Sequence, residues 1–249
     1  AKGLYVEARL VDTPMTAPVR DAIKAGAITG MSVAMESPKN GATWSKARLI
    51  EPEHALRNQV IAGAFETSKG QIIVACDANS NVGEGTALHL SSDGGKTWTD
   101  PGAGRPQPKF ADGQSGAWIA GIHAGVAELK DGRLLALGRG SAINGQMARS
   151  ISSDGGRTWK YSASGFPPLG SGQRPVLRRL QEGPIFLATF DKAMMVTDSA
   201  GIPRKVSGLF GALSFDEGET WPVRRLITDE GPARKLDGGG NTGKFTLSR

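Results

Sequence analysis

One octapeptide constrains this chain more than anything else in it. Ser-x-Asp-x-Gly-x-Thr-Trp occurs at residues 91–98, 152–159 and 214–221. A degenerate copy at 37–44 has Lys39 in the aspartate place. The third positions lie 54, 61 and 62 residues apart. Even spacing of one pattern means a structural unit repeated along the chain. Within the box, Asp can accept hydrogen bonds from turn amides and Gly supplies a positive φ. Thr and Trp then resume a strand, with the indole as an apolar anchor. A motif used once per unit reads as scaffold, so Asp93, Asp154 and Asp216 are read as structural.

The stretches between boxes repeat as well. Val60–Glu66 and Gln71–Asp77 read as strands around a Ser-Lys-Gly turn. His123–Leu129 and Arg133–Arg139 flank Lys-Asp-Gly, and Arg174–Leu180 and Pro184–Phe190 flank Gln-Glu-Gly. A third strand precedes each box at Thr86–Ser91, Gln146–Ser152 and Gly208–Ser214. A fourth follows it, from Trp98 onward, at Trp159–Ser164 and at Trp221–Ile227. Runs of this length between glycine turns are strand-like. The prediction is all-β: four-stranded antiparallel blades arranged as a β-propeller.

These boxes resemble the Asp-box, or BNR, repeats of the sialidase (neuraminidase) superfamily, over roughly residues 30–249. The resemblance implies a six-bladed type of propeller with the boxes on the face away from the active site. About three full blades are visible between residues 57 and 227. Residues 30–50 read as the outer half of an earlier blade and 240–249 as the first strand of a later one. The chain is therefore expected to be a segment of a larger propeller, the rival being a small propeller with irregular end blades. Residues 1–29 form an unplaced N-terminal segment, in which Met15–Ala27 reads as loop or short helix.

In a propeller, ligand groups should come from the start of strand one and the end of strand two, which share one end of a hairpin. Aligning Gly70, Gly132 and Gly183 makes Ile61, His123 and Arg174 equivalent, and likewise Asp77, Arg139 and Phe190. Arg57, Asn58, Asp77, His123, Arg139, Arg174 and Asp191 thus gather at a channel mouth. Polar groups there need partners or a ligand. A ring of mutual salt bridges is the alternative.

The family clamps a substrate carboxylate with an arginine triad and uses an Asp acid/base and a Tyr nucleophile helped by a Glu. Guanidinium forks match a carboxylate bidentately. The segment His123 to Arg139 is similar to the family stretch that begins with the helper Glu and ends with a triad Arg. Arg139 fits that Arg, while His123 stands in the Glu place, where it can act as a base or hydrogen-bond partner. Arg204 and Lys205 lie near the place of a further triad Arg, and Arg174 is an anion contact the motif does not specify. Tyr5 and Tyr161, the two tyrosines, do not fit the nucleophile position, which the resemblance implies would fall beyond residue 249, and Arg9 fits the first triad Arg poorly. Asp77 is the substitute candidate acid. Asp77 and His123 are thus the candidate catalytic residues, with Arg139, Arg174, Arg57 and Asn58 as substrate-binding residues.

The resemblance implies an exo-acting glycoside hydrolase that removes a terminal sialic acid or similar acidic sugar. The alternatives are a non-catalytic carbohydrate-binding propeller, or a different glycosidase or lyase using His123. A carbohydrate is the expected partner, and no cofactor or metal is implied. His54, His89 and His123 have no metal-ligand spacing, and His89, between Leu88 and Leu90, reads as structural. Gly94-Gly95 and Gly238-Gly239-Gly240 are not phosphate loops. Net charge is +6, but Arg178-Arg179 and Arg224-Arg225 are only short pairs, which argues against nucleic acid. Apolar runs such as Leu134–Leu137 are far short of the ~20 residues of a membrane helix. The single cysteine, Cys76, excludes an internal disulfide. A secreted or periplasmic location is expected from the family.

Overall fold

The computed structural model describes residues 64–78, 85–170, 173–197 and 200–229, together with strands at 33–34, 48–49, 57–60, 235–237 and 244–246. The described residues hold no helix. In chain order the strands are β1 (Val33–Ala34), β2 (Arg48–Leu49), β3 (Arg57–Val60), β4 (Phe65–Glu66), β5 (Ile72–Ala78) and β6 (Gly85–Ser91). Then come β7 (Ser115–Gly116), β8 (Ile119–Ala120), β9 (Ile122–Glu128), β10 (Leu134–Ile143), β11 (Gln146–Ser152) and β12 (Trp159–Ala163). The last are β13 (Val176–Arg179), β14 (Ile185–Thr197), β15 (Pro203–Ser214), β16 (Val223–Asp229), β17 (Lys235–Asp237) and β18 (Lys244–Thr246).

Three antiparallel sheets form the blades. Sheet order is β3-β5-β6-β8 in the first, with β4 also on β5. It is β9-β10-β11-β12-β7 in the second and β13-β14-β15-β16 in the third. The architecture is a β-propeller built of meanders. The outer strand expected from Trp98 is reduced to one bridge, Leu90 with Thr99. Its place on β6 is taken at the far end by β8. β14 and β15 run past the predicted ends, because Phe190 and Gly208 are not a turn: pairing continues to Thr197 with Pro203. β1 pairs β2 and β17 pairs β18. The degenerate box at 37–44, apart from these pairs, lies outside the described residues, as do residues 1–29.

Two cores lie between neighbouring blades. Ile73, Leu88, Leu134, Trp159 and Tyr161 fill the first, and Leu135, Leu137, Phe166, Ile185 and Phe210 the second. Alternate residues of β10 thus point to opposite neighbours, the period-two rule of a strand buried on both faces. The inner strands approach closely at Gly125, where a Cβ would stand 2.7 Å from the Leu177 nitrogen.

The boxes close as hairpin turns. In the first, Asp93 accepts from the Lys96 and Thr97 amides at 2.9 Å and from the Thr97 hydroxyl at 2.6 Å. Ser91 donates to Asp93 and accepts the Gly95 amide. The second box repeats the set around Asp154, and in the third Asp216 accepts from the Thr220 amide and hydroxyl while the Glu219 amide donates to the Asp216 backbone carbonyl. These bonds hold Asp93 and Asp154 below the usual carboxylate range and bring Asp216 to about 2; for Asp154 burial opposes the shift and the Thr158 bonds outweigh it. The box indoles close on their own turns, Trp98 to the Gly95 carbonyl and Trp159 to that of Gly156.

Candidate active site

Strand register fixes which end is which. Ile72 pairs Ser91 and Leu134 pairs Ser152, so the boxes and the hairpin glycines share one end of the blades. Asp77, which pairs Thr86, and Arg139, which pairs Ile122, lie at the other.

At that end the second blade carries a bulge. Pairing of β10 with β9 shifts between Leu137–Gly125 and Arg139–Ile122. The extra residue lies in the stretch that contains His123, whose φ is +54°. A non-glycine residue there costs on the order of 1 kcal/mol. The first blade holds it in place. The His123 amide donates to Asp77 Oδ1 at 2.7 Å, and the Ala124 amide to Thr86 Oγ1 at 3.1 Å. Thr86 in turn donates to the Gly121 carbonyl at 2.9 Å. Bulges near sites re-aim a side chain in this way.

The imidazole then turns toward the same carboxylate. His123 Nδ1 stands 2.7 Å from Asp77 Oδ2, and both side chains are less than a tenth exposed. The approach brings the ring against the carboxylate without a hydrogen bond: buried Nδ1 has no hydrogen-bond partner among the described residues.

Arg139 follows the bulge and is half-buried. Its Nη1 donates to the Gln173 carbonyl at 3.4 Å, next to Arg174. Loss of solvent lowers the pKa of its guanidinium below the usual value; Asp77 opposes that shift and the Arg174 charge adds to it. Arg139 therefore feels both neighbours. Arg174 is exposed, just ahead of β13.

Four residues singled out in the sequence thus come together from three blades: Asp77, His123, Arg139 and Arg174. Arg57 and Asn58 lie on β3, where Arg57 pairs Ala78 beside Asp77; their side chains are outside the described set. Arg204 and Lys205 do not join the cluster. They sit exposed on the long β14–β15 hairpin, opposite Val196 and Met195. Asp191 turns back on its own strand and accepts the Ala193 amide. The hydroxyl of Tyr161, on outer strand β12, donates to the Trp118 carbonyl at 2.7 Å, and burial pushes its pKa well above the usual range. Tyr5 and Arg9 lie outside the described residues. His89 is fully buried on β6, with Nδ1 3.9 Å from Cys76 Sγ.

Thr86, Gly121 and Gln173 escaped the sequence reading. Gly121 could have been found: a glycine two residues before a candidate site residue often marks close backbone approach. A Cβ there would lie 2.6 Å from the Arg139 carbonyl oxygen, at a φ of +82°.

The family model of the BNR repeat-like domain matches residues 18–240, and the chain belongs to that family. A sialidase of Micromonospora viridifaciens is 27% identical over 126 residues, 47% of this chain and 19% of the relative. Among solved structures, a Dyadobacter fermentans protein of unknown function superposes with a TM-score of 0.51 at 18% identity, covering 80% of this chain and 52% of that one. The NanB sialidase of Streptococcus pneumoniae gives 0.51 at 20% identity, covering 78% and 28%. The chain thus spans about half or less of the length of these relatives. The structural likeness establishes the sialidase-type propeller fold. No helix among the described residues is long and apolar enough to cross a membrane.

Proposed function

We propose that the protein is an exo-acting glycoside hydrolase of sialidase type, releasing a terminal sialic acid or a similar acidic sugar. The observation that carries this reading is the convergence of Arg139 and Arg174 beside the Asp77–His123 pair. The two guanidinium groups bind the sugar carboxylate, Arg57 and Asn58 on the neighbouring strand are further substrate-binding candidates, and the carboxylate–imidazole pair handles protons at the anomeric carbon. An anion clamp orients the substrate by bidentate bonds, and the adjacent pair supplies general acid–base chemistry. The relative from Micromonospora viridifaciens, named a sialidase, supports the substrate class. The same reading puts the protein where glycans are met, secreted or in a periplasm.

The test is hydrolysis of an aryl sialoside by the protein at its native length, beside the 249-residue chain. Turnover that falls on the order of 100-fold in kcat/KM with Arg139→Ala supports the reading. Turnover unchanged by Arg139→Ala would sink it. Saturable glycan binding with no turnover would assign a carbohydrate-binding propeller instead.

A further inference from the structure

The third blade carries a bulge at the same end as the second, and this one presents a charge. Resting on the hydrolase reading above, in which Arg139 and Arg174 hold one sugar carboxylate, we infer that Lys192 binds a second anionic group. The site then selects glycans that carry two negative charges close together.

Pairing of β14 with β15 shifts between Asp191–Gly208 and Met194–Val206, so Lys192 and Ala193 together face Ser207. The bulge is closed by the residue before it: Asp191 Oδ1 accepts the Ala193 amide at 2.8 Å. Phe190 and Met194, on either side, pack against the core shared with the second blade. Lys192 turns to that side too. Its Nζ would lie 3.8 Å from a Cβ on Gly170, in the connection from β12 to β13. Bulges re-aim side chains next to sites, and this one sends an exposed ammonium group toward the neighbouring blade.

The connection links Lys192 to the two arginines. The Gly170 amide donates to Gln173 Oε1 at 2.9 Å, and the Gln173 amide to the Gly170 carbonyl at 3.3 Å. The Gln173 carbonyl in turn accepts Arg139 Nη1 at 3.4 Å, and Arg174 follows it in the chain. Lys192 and Arg139 therefore stand at opposite ends of one turn, whose first and fourth Cα atoms are less than about 7 Å apart. That spacing decides what each cation can hold. Guanidinium forks meet a carboxylate edge-on and in pairs. A carboxylate seated on Arg139 lies a turn's width from Lys192, the distance of a neighbouring substituent or the next sugar residue. Lysine suits such a place, because a point charge with three donors on a flexible stem needs no fixed edge-on geometry. Asp191, the carboxylate next to it in sequence, is turned back to the Ala193 amide.

The test compares two sugars on the native-length protein: a disialic acid dimer, with two carboxylates, and sialyllactose, with one. Release of sialic acid gives kcat/KM for each, and the ratio of the two values does not depend on how much of a variant is folded. The ratio should favour the dimer and fall about fivefold in Lys192→Gln, the size of one solvent-exposed charge pair. Lys192→Arg keeps the charge and should keep the ratio. A ratio that Lys192→Gln leaves unchanged, or that Lys192→Arg lowers as far as Lys192→Gln does, overturns the inference and leaves the hydrolase reading standing. Where neither sugar is turned over, calorimetric affinities give the same ratio. A fall with Lys192→Gln there supports the second anion site and overturns the hydrolase reading alone. Binding of neither sugar overturns both.

Discussion

The two ends of the blades use aspartate in opposite ways. At the box end, Asp93 and Asp154 bond amides and hydroxyls three and four residues ahead in their own loops, and Asp216 those of Thr220 four ahead. Each turn is complete in itself and exposed. At the other end, Asp77 reaches 46 residues along the sequence into the next blade. Its partners are buried, and the bond decides where a ring points. Local closure gives a turn that can be copied along the chain. A bond between blades gives a single site that cannot be copied.

Glycine separates the ends most sharply. A Cβ on Gly138 would lie 2.1 Å from the Ala120 carbonyl oxygen, which is backbone and cannot swing away. Gly138→Ala should therefore cost about 3 kcal/mol or more, with loss of whatever activity the native protein has. At the box end, Gly94 has φ +70° and nothing near its missing Cβ. Gly94→Ala should cost only about 1 kcal/mol, the conformational part alone. Urea unfolding of both variants checks the pair, and equal losses would break the contrast.

The aspartates come next. Asp77→Ala leaves the His123 amide buried without an acceptor and removes the carboxylate against its ring, a loss of about 3 kcal/mol. Asp154→Ala removes more hydrogen bonds, but its donors reach water, so about 1–2 kcal/mol is expected. The measurement is again urea unfolding, and a larger loss at Asp154 would reverse the ranking.

Acid should find the box end before it finds the cores. The folded-state value of each box carboxylate is depressed, so its contribution is full above the unfolded value near 4. It is lost as pH falls through the folded value, which for Asp216 is about 2. Carboxyl carbon NMR should show Asp216 titrating near pH 2, with stability declining between pH 4 and 2. Titration of Asp216 near pH 4 would mean that the Thr220 bonds are not formed in solution.

Much of this was legible in the sequence, and the reasons differ by region. Box spacing and hairpin glycines located the blades, because each box is a local hydrogen-bonded unit and local chemistry leaves a local pattern. Counting from those glycines placed Asp77, His123, Arg139 and Arg174 at one end. The Asp77–His123 bond itself was not readable, since it depends on the bulge and on how two blades sit together. The reduced outer strand after Trp98 was missed for the same reason: β8 takes its place from across the sheet. The extra length of β14 and β15 has a simpler cause. Asp191 and Gly208 look like turn residues, but the pair holds through a bulge there.

The smallest effect falls where the two styles of bonding meet. In the third box Glu217 stands where Gly94 and Gly155 stand in the others, at a φ of +63° that suits glycine. The side chain offsets that strain by joining blades. It accepts the Lys130 amide at 2.7 Å and pairs with Arg179, whose Nε donates to the Glu128 carbonyl of the second blade. Relief of the backbone strain is worth about 1 kcal/mol. The lost bonds are charge-assisted but partly solvated, worth about 2 kcal/mol together. Glu217→Gly should therefore cost about 1 kcal/mol net. Glu217→Gln keeps the strain and can keep the amide bond but loses the charge, so it should cost a similar amount and respond less to added salt. Urea unfolding at low and at 1 M salt distinguishes these. If Glu217→Gly were stabilising, the third box would be closed by its own loop like the other two, and the Glu217 bridge would add nothing to holding the blades together.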